Sequence, residues 1–97
     1  MQIIDIGMAG TLESSDVVIK IEKNPNKGIE IYLKSSVENQ FGLQIRKVIQ
    51  DTLAKLGISD VIVDVNDKGA LDCTIEARVK TAVHRAAHNT EYRWGDR

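Results

Sequence analysis

The chain has 97 residues, 42% of them hydrophobic and 28% charged, enough for one domain with one modest core. Thirteen Lys and Arg stand against fourteen Asp and Glu, for a formal charge of −1. That balance excludes nucleic-acid binding through a basic face and is too even for an acidic disordered tail.

Residues 1–13 are mildly apolar, and Ile4, Ile6 and Met8 alternate as in a first strand, interrupted by Gly7 and Gly10. The polar cluster Glu13-Ser14-Ser15-Asp16 reads as a turn. Val17 to Lys23 is a second strand with Val17, Ile19 and Ile21 on one face. Asn24-Pro25-Asn26-Lys27-Gly28 is a strong turn, because Pro fixes φ and Gly and Asn accept positive φ. Ile29 to Lys34 is a third strand, with Ile29, Ile31 and Leu33 inward and Glu30, Tyr32 and Lys34 outward. Two alternating strands around such a turn predict an antiparallel hairpin with one wet face.

Ser35-Ser36-Val37-Glu38 has the spacing of a capping box, so a helix is expected over Val37 to Leu56. Phe41, Ile45, Val48, Ile49, Leu53 and Leu56 form its apolar stripe. Gly42 weakens its first half, and Gly57 is a natural stop. Asp60 to Asn66 alternates as a fourth strand, followed by the turn Asn66-Asp67-Lys68-Gly69. Ala70 to Ala87 reads as a second helix, with Leu71, Ile75, Val79, Ala82, Val83 and Ala86 on one face. Residues 89–97 have no periodicity and read as a loose tail after a domain of residues 1–88. The order β-β-β-α-β-α predicts an α+β fold. It is a mostly antiparallel sheet of about four strands with two helices packed on one face. The third strand reaches the fourth through a βαβ crossover, expected to be right-handed.

Enzyme signatures are missing: no G-x-S-x-G, H-E-x-x-H, P-loop or G-x-G-x-x-G occurs. No apolar run exceeds three residues, so no membrane span is expected, and the N-terminus does not read as a signal peptide. The lone Cys73 makes neither an internal disulfide nor a cysteine metal site, which points to the cytoplasm. His84 and His88 are four apart on a helix, a spacing that can hold a metal. With no Cys or third His beside them they read as a surface pair. Cys73, near a helix start, reads as a partly buried small residue rather than a reactive thiol. Asp64, Asp67 and Asp72 gather around one turn, where Asp67 and Asp72 are expected to cap the second helix or favour its dipole. The outward residues Lys20, Glu22, Glu30, Tyr32 and Lys34 read as a solvated sheet face before a docking face. Serines in a turn are usually turn formers, yet an exposed hydroxyl at a loop tip is also what a modifying enzyme needs.

At this turn the stretch Ala9-Gly10-Thr11-Leu12-Glu13-Ser14-Ser15-Asp16-Val17-Val18-Ile19 resembles the N-terminal signature of the citrate lyase acyl carrier protein family, the gamma subunit. Two further blocks agree in order: Ser36-Val37-Glu38-Asn39-Gln40-Phe41-Gly42, and Asp67-Lys68-Gly69-Ala70-Leu71-Asp72-Cys73 followed by Ala77-Arg78. Together they span about residues 9 to 88. The resemblance implies a non-catalytic carrier subunit of a bacterial lyase complex active in citrate fermentation. It implies that Ser14 bears 2′-(5″-phosphoribosyl)-3′-dephospho-coenzyme A through a phosphodiester, which makes the chain a phosphoprotein. Ser15 stands where relatives often have Gly.

In the family so resembled, the prosthetic thiol carries acetyl and citryl thioesters while citrate is cleaved to acetate and oxaloacetate. The implied partners are the alpha subunit, an acyl transferase, the beta subunit, a citryl lyase, and the transferase that attaches the group. No nucleic acid, membrane or metal is expected. The related carrier of malonate decarboxylase is the nearest alternative, and an unmodified interaction module is another. Unlike fatty-acid carriers, which are helical bundles with an Asp-Ser-Leu motif, this chain is not expected to accept ordinary phosphopantetheine.

Overall fold

The computed structural model of the chain describes residues 2–88, apart from the side chain of Glu38. Strand β1 runs Gly7–Gly10, β2 Val17–Lys23 and β3 Ile29–Ser35. Helix α1 follows at Glu38–Lys55, then strand β4 at Val61–Asp67 and helix α2 at Asp72–Ala86. The expected order of elements is therefore the observed one. The expected tail at 89–97 lies outside the described residues.

The four strands form one sheet in the order β1-β2-β4-β3. β1 pairs antiparallel with β2, and β2 antiparallel with β4. β4 pairs parallel with β3, so the sheet is mixed though mostly antiparallel. This corrects the expected β2–β3 hairpin. The Asn24–Gly28 turn is real, but β4 inserts between the two strands it joins. The reason is burial. Val61, Val63 and Val65 are buried, and only the central slot has a neighbour's apolar row on either side. Val63 sits opposite Ile21 on one flank and Ile31 on the other. The turn is held independently of any hairpin. Buried Asn24 accepts a bond from Asn26 N and donates to the Gly28 carbonyl and Glu30.

The core lies between the sheet and the helices. Ile19 and Ile21 of the sheet, Ile45, Ile49 and Leu53 of α1, and Ile75, Val79 and Val83 of α2 are all buried there. α1 ends as expected. Gly57 takes φ +72, its N–H reaches the Ala54 carbonyl, and Ile58 N–H reaches Leu53, which closes the helix with a left-handed residue.

Three local expectations fail. The alternating residues do not form an apolar strand face: Ile4 and Ile6 precede β1, and Ile4, Ile6 and Met8 are exposed, while Ile3, Gly7 and Ala9 are buried. Helix α2 lies directly on β1 and leaves no room there for large side chains. A Cβ on Gly7 would sit 2.1 Å from the Ala82 carbonyl oxygen. The Ile4 and Asp5 N–H groups then satisfy the Ala86 carbonyl at the end of α2. The capping box is also not formed by Ser35. Val37 occupies the N-cap without a side-chain bond. Ser35 ends β3, accepting from Val37 N–H and donating to Asp67. Finally, Leu71 precedes α2 as its N-cap and is 70% exposed rather than on the buried face.

Candidate functional site

Glu13 to Asp16 closes as a turn, with Asp16 N–H donating to the Glu13 carbonyl at 3.1 Å. Ser15 occupies the third position with φ +66, the left-handed value that a type II turn requires there. Its N–H is bound to the Lys68 carbonyl at 2.8 Å, and Lys68 N–H returns a bond to the Asp16 carbonyl at 2.9 Å. The turn is thus stitched by its backbone to the loop between β4 and α2.

Asp16 locks the rest. Its carboxylate accepts a two-pronged contact from Arg78 of α2, Nε to Oδ1 at 3.1 Å and Nη2 to Oδ2 at 3.0 Å. The Thr11 hydroxyl donates to Oδ2 at 2.7 Å, and Val17 N–H donates to Oδ1 at 2.7 Å. Thr11 Oγ1 in turn accepts from Glu13 N–H at 3.2 Å. Both carboxylate oxygens and the Thr11 hydroxyl are therefore engaged. Ser14 is exposed, and among the described residues its hydroxyl makes no hydrogen bond. The tip therefore presents the exposed hydroxyls of Ser14 and Ser15, and of the two only Ser15 has left-handed backbone.

The Arg78 guanidinium, then the Thr11 hydroxyl and Val17 N–H, hold the Asp16 carboxyl well below the ordinary carboxylate range. The folded value is depressed. The stability it contributes is present above the unfolded value near pH ~4 and is lost as pH falls further. Arg78→Ala is expected to move the Asp16 midpoint up toward the ordinary value in a carboxyl NMR titration. It should also cost about 1 kcal/mol near neutral pH, since the pair is partly solvated. An unmoved midpoint would show that Arg78 does not hold the turn.

The left-handed Ser15 gives a second expectation. Ser15→Gly relieves about 1.5 kcal/mol of left-handed strain and loses about 0.7 kcal/mol to the greater freedom of the unfolded chain. A net gain of about 0.8 kcal/mol should appear in urea unfolding. A loss of stability would exclude this turn geometry.

The other candidates scatter. Asp67 is buried and does not cap α2. It accepts from Gly69 and Ala70 N–H and from the Ser35 hydroxyl, tying the loop to the end of β3. Asp72 does sit in the first turn of α2, as its charge favours, and accepts from Gln44 of α1 at 2.7 Å. Cys73 is exposed rather than partly buried, because it falls on the side of α2 facing the mouth between the helices. His88 contacts Asp5 at 2.9 Å, and burial lowers the pKa of His84. Among the described residues no three His, Cys, Asp or Glu side chains gather as a metal site. No described helix is long and apolar enough to cross a membrane. Lys20, Tyr32 and Lys34 line a shallow depression on the open sheet face, together with Asp64.

Known proteins place this site in context. The family model described as "ACP: Malonate decarboxylase delta subunit (MdcD)" matches residues 5–86. The citrate lyase acyl carrier protein of Lacticaseibacillus casei is 57% identical over 94 residues, covering 97% of this chain and 92% of the relative. That of Streptococcus mutans is 53% identical with the same coverage, and that of Clostridium perfringens 48% over 96 residues, covering 99% and 95%. The chain belongs to the citrate lyase acyl carrier protein family. Among solved structures, one chain of a Pseudomonas malonate decarboxylase hetero-tetramer in complex with malonate matches with a TM-score of 0.67. It is 18% identical, covers 82% of this chain and 81% of that one, and establishes a shared fold.

The sequence singles out the turn holding Ser14 by composition and resemblance, but does not show Asp16, Thr11 and Arg78 as a unit. Asp16 and Arg78 lie 62 residues apart. The available signal was their presence in two separate resembling blocks, as opposite charges able to pair.

Proposed function

We propose that the chain is the acyl carrier subunit of a citrate lyase and that Ser14 is the attachment point of phosphoribosyl dephospho-coenzyme A. The observation that carries this reading is the Ser14 hydroxyl: exposed, without a hydrogen bond among the described residues, and on a turn held in place by Thr11, Asp16 and Arg78. The donor set fits the group, because a phosphodiester needs one accessible hydroxyl and no metal. When bound, the group supplies the thiol that carries the acyl load. The protein's own residues anchor and present it, and contribute no acid or base to the chemistry. Thr11, Asp16 and Arg78 hold the turn, and Ser14 Oγ is the atom that is esterified. The expected partners are the transferase (alpha) and lyase (beta) subunits and the attaching transferase, in the bacterial cytoplasm during citrate fermentation.

Malonate decarboxylase is the second reading, favoured by the description of the matching family and by the fold likeness. The identity of 57% to a citrate lyase carrier weighs more than 18% to a decarboxylase chain. The test is mass spectrometry of protein from its native host grown on citrate. Trypsin releases Met1 to Lys20 as one peptide. A mass gain matching the prosthetic group, localised to Ser14 and co-purifying with lyase subunits, is the expected result. An unmodified peptide under those conditions would overturn the reading, and decarboxylase partners would favour the second.

A further inference from the structure

The mouth between the two helices is an open groove of about 560 Å³. Its walls are Phe41 and Ile45 of α1 and Ala70, Leu71 and Cys73 around the start of α2. Phe41 is 51% exposed and Leu71 70%, so among the described residues large apolar surface lies open here. The volume falls within the range of small-molecule sites. At its rim the Gln44 amide donates to Asp72, a polar bridge between the two helices.

The groove begins where the Ser14 turn ends. Ser15 N–H binds the Lys68 carbonyl, and the next residues, Gly69 to Cys73, form one wall. Asp67 then joins this loop through Ser35 to Val37 on the other wall. A flexible arm anchored at Ser14 therefore starts beside this opening. The depression on the open sheet face has a comparable volume of about 540 Å³, but Lys20, Lys34, Arg46 and Asp64 line it. An uncharged chain would have to desolvate those charges to settle there.

We infer that the groove between Phe41, Ile45, Leu71 and Cys73 is a resting site for the uncharged, thiol-bearing end of the arm attached at Ser14. This rests on the proposed function. Tethering makes weak intrinsic affinity sufficient, because a short linker holds its end at effective concentrations near ~1 mM. The apolar walls remove the arm's end from water between visits to partner sites, and the weakness of the contact lets it leave.

Cys73 is the built-in reporter, since it lines the groove and is exposed. The unloaded and loaded proteins are treated with excess iodoacetamide, which also caps the arm's own thiol with an uncharged amide. Alkylation of Cys73 is followed in the tryptic peptide Gly69 to Arg78, and loading in the peptide Met1 to Lys20 of the same digest. Loading is expected to slow Cys73 alkylation about fivefold, as if the arm fills the groove about four-fifths of the time. Leu71→Glu, at a position 70% exposed, should make the loaded and unloaded forms of that variant react at the same rate. Equal rates with and without the adduct would overturn the inference and leave the carrier assignment standing. Protection that survives Leu71→Glu would also overturn it, because the apolar wall would not be what holds the arm. Absence of any adduct on the first peptide would instead overturn the proposed function, and the inference with it.

Discussion

Ser14→Ala is expected to abolish covalent loading completely, while Ser15→Gly loads to the same extent as the unaltered protein. The two serines are adjacent and both exposed, but the turn gives them different backbones. Ser15 sits in the left-handed position, with its N–H bound to Lys68, where glycine is the better residue. Ser14 occupies the preceding position, whose φ does not call for glycine, and its exposed hydroxyl makes no hydrogen bond among the described residues. Thr11 cannot substitute, because its hydroxyl donates to Asp16 and accepts from Glu13 N–H. The measurement is the intact mass of each variant after incubation with the attaching transferase and its activated donor. A mass gain on Ser14→Ala would move the attachment point elsewhere. A failure of Ser15→Gly would give the second hydroxyl a role in loading.

Local signals in the chain were legible where the physics is local. The alternation of Val17, Ile19 and Ile21 sets the inward face of β2, and all three are buried. The spacing of Ile45, Ile49 and Leu53 sets the stripe of α1 in the same way. Gly57 stops that helix because a left-handed residue needs no partner far away. Contacts decided by distant segments were not legible. β2 and β3 each read as half of a hairpin, and only the arrival of β4, after a whole helix, separates them. Ile4, Ile6 and Met8 alternate correctly for a strand, but the closeness of α2 reserves the inner face for Gly7 and Ala9. Leu71 and Cys73 were read as facing inward to different degrees, and both are exposed at the helix mouth. At the site, turn composition and family resemblance led to Ser14. The clamp of Arg78 on Asp16 depends on how α2 crosses β2, which no spacing in the chain reports.

The largest effect on stability is expected from the smallest addition, Gly7→Ala. The new Cβ would lie 2.1 Å from the Ala82 oxygen, 2.4 Å from Ala86 N and 2.9 Å from Ala86 Cα. All three are backbone atoms of α2, so no side chain can swing aside. Either the helix lifts from β1 or the strand leaves the sheet. Lifting α2 also breaks the bonds by which Ile4 and Asp5 N–H cap the Ala86 carbonyl. It loosens the seats of Val79, Ala82 and Val83, which are fully buried. A cost of about 3 kcal/mol or more follows from overpacking that cannot relax locally. That is a large share of the ~5–15 kcal/mol that holds a domain together. Gly69→Ala is the matched control. Gly69 has φ +87 but open space around its would-be Cβ, so only the left-handed penalty of about 1 kcal/mol applies. Urea unfolding should show a midpoint far lower for Gly7→Ala than for Gly69→Ala. Equal midpoints would mean that α2 does not rest on β1. Because Arg78 sits on that same helix, Gly7→Ala should also release Asp16. Its carboxyl resonance in whatever folded fraction remains would then titrate closer to the ordinary range.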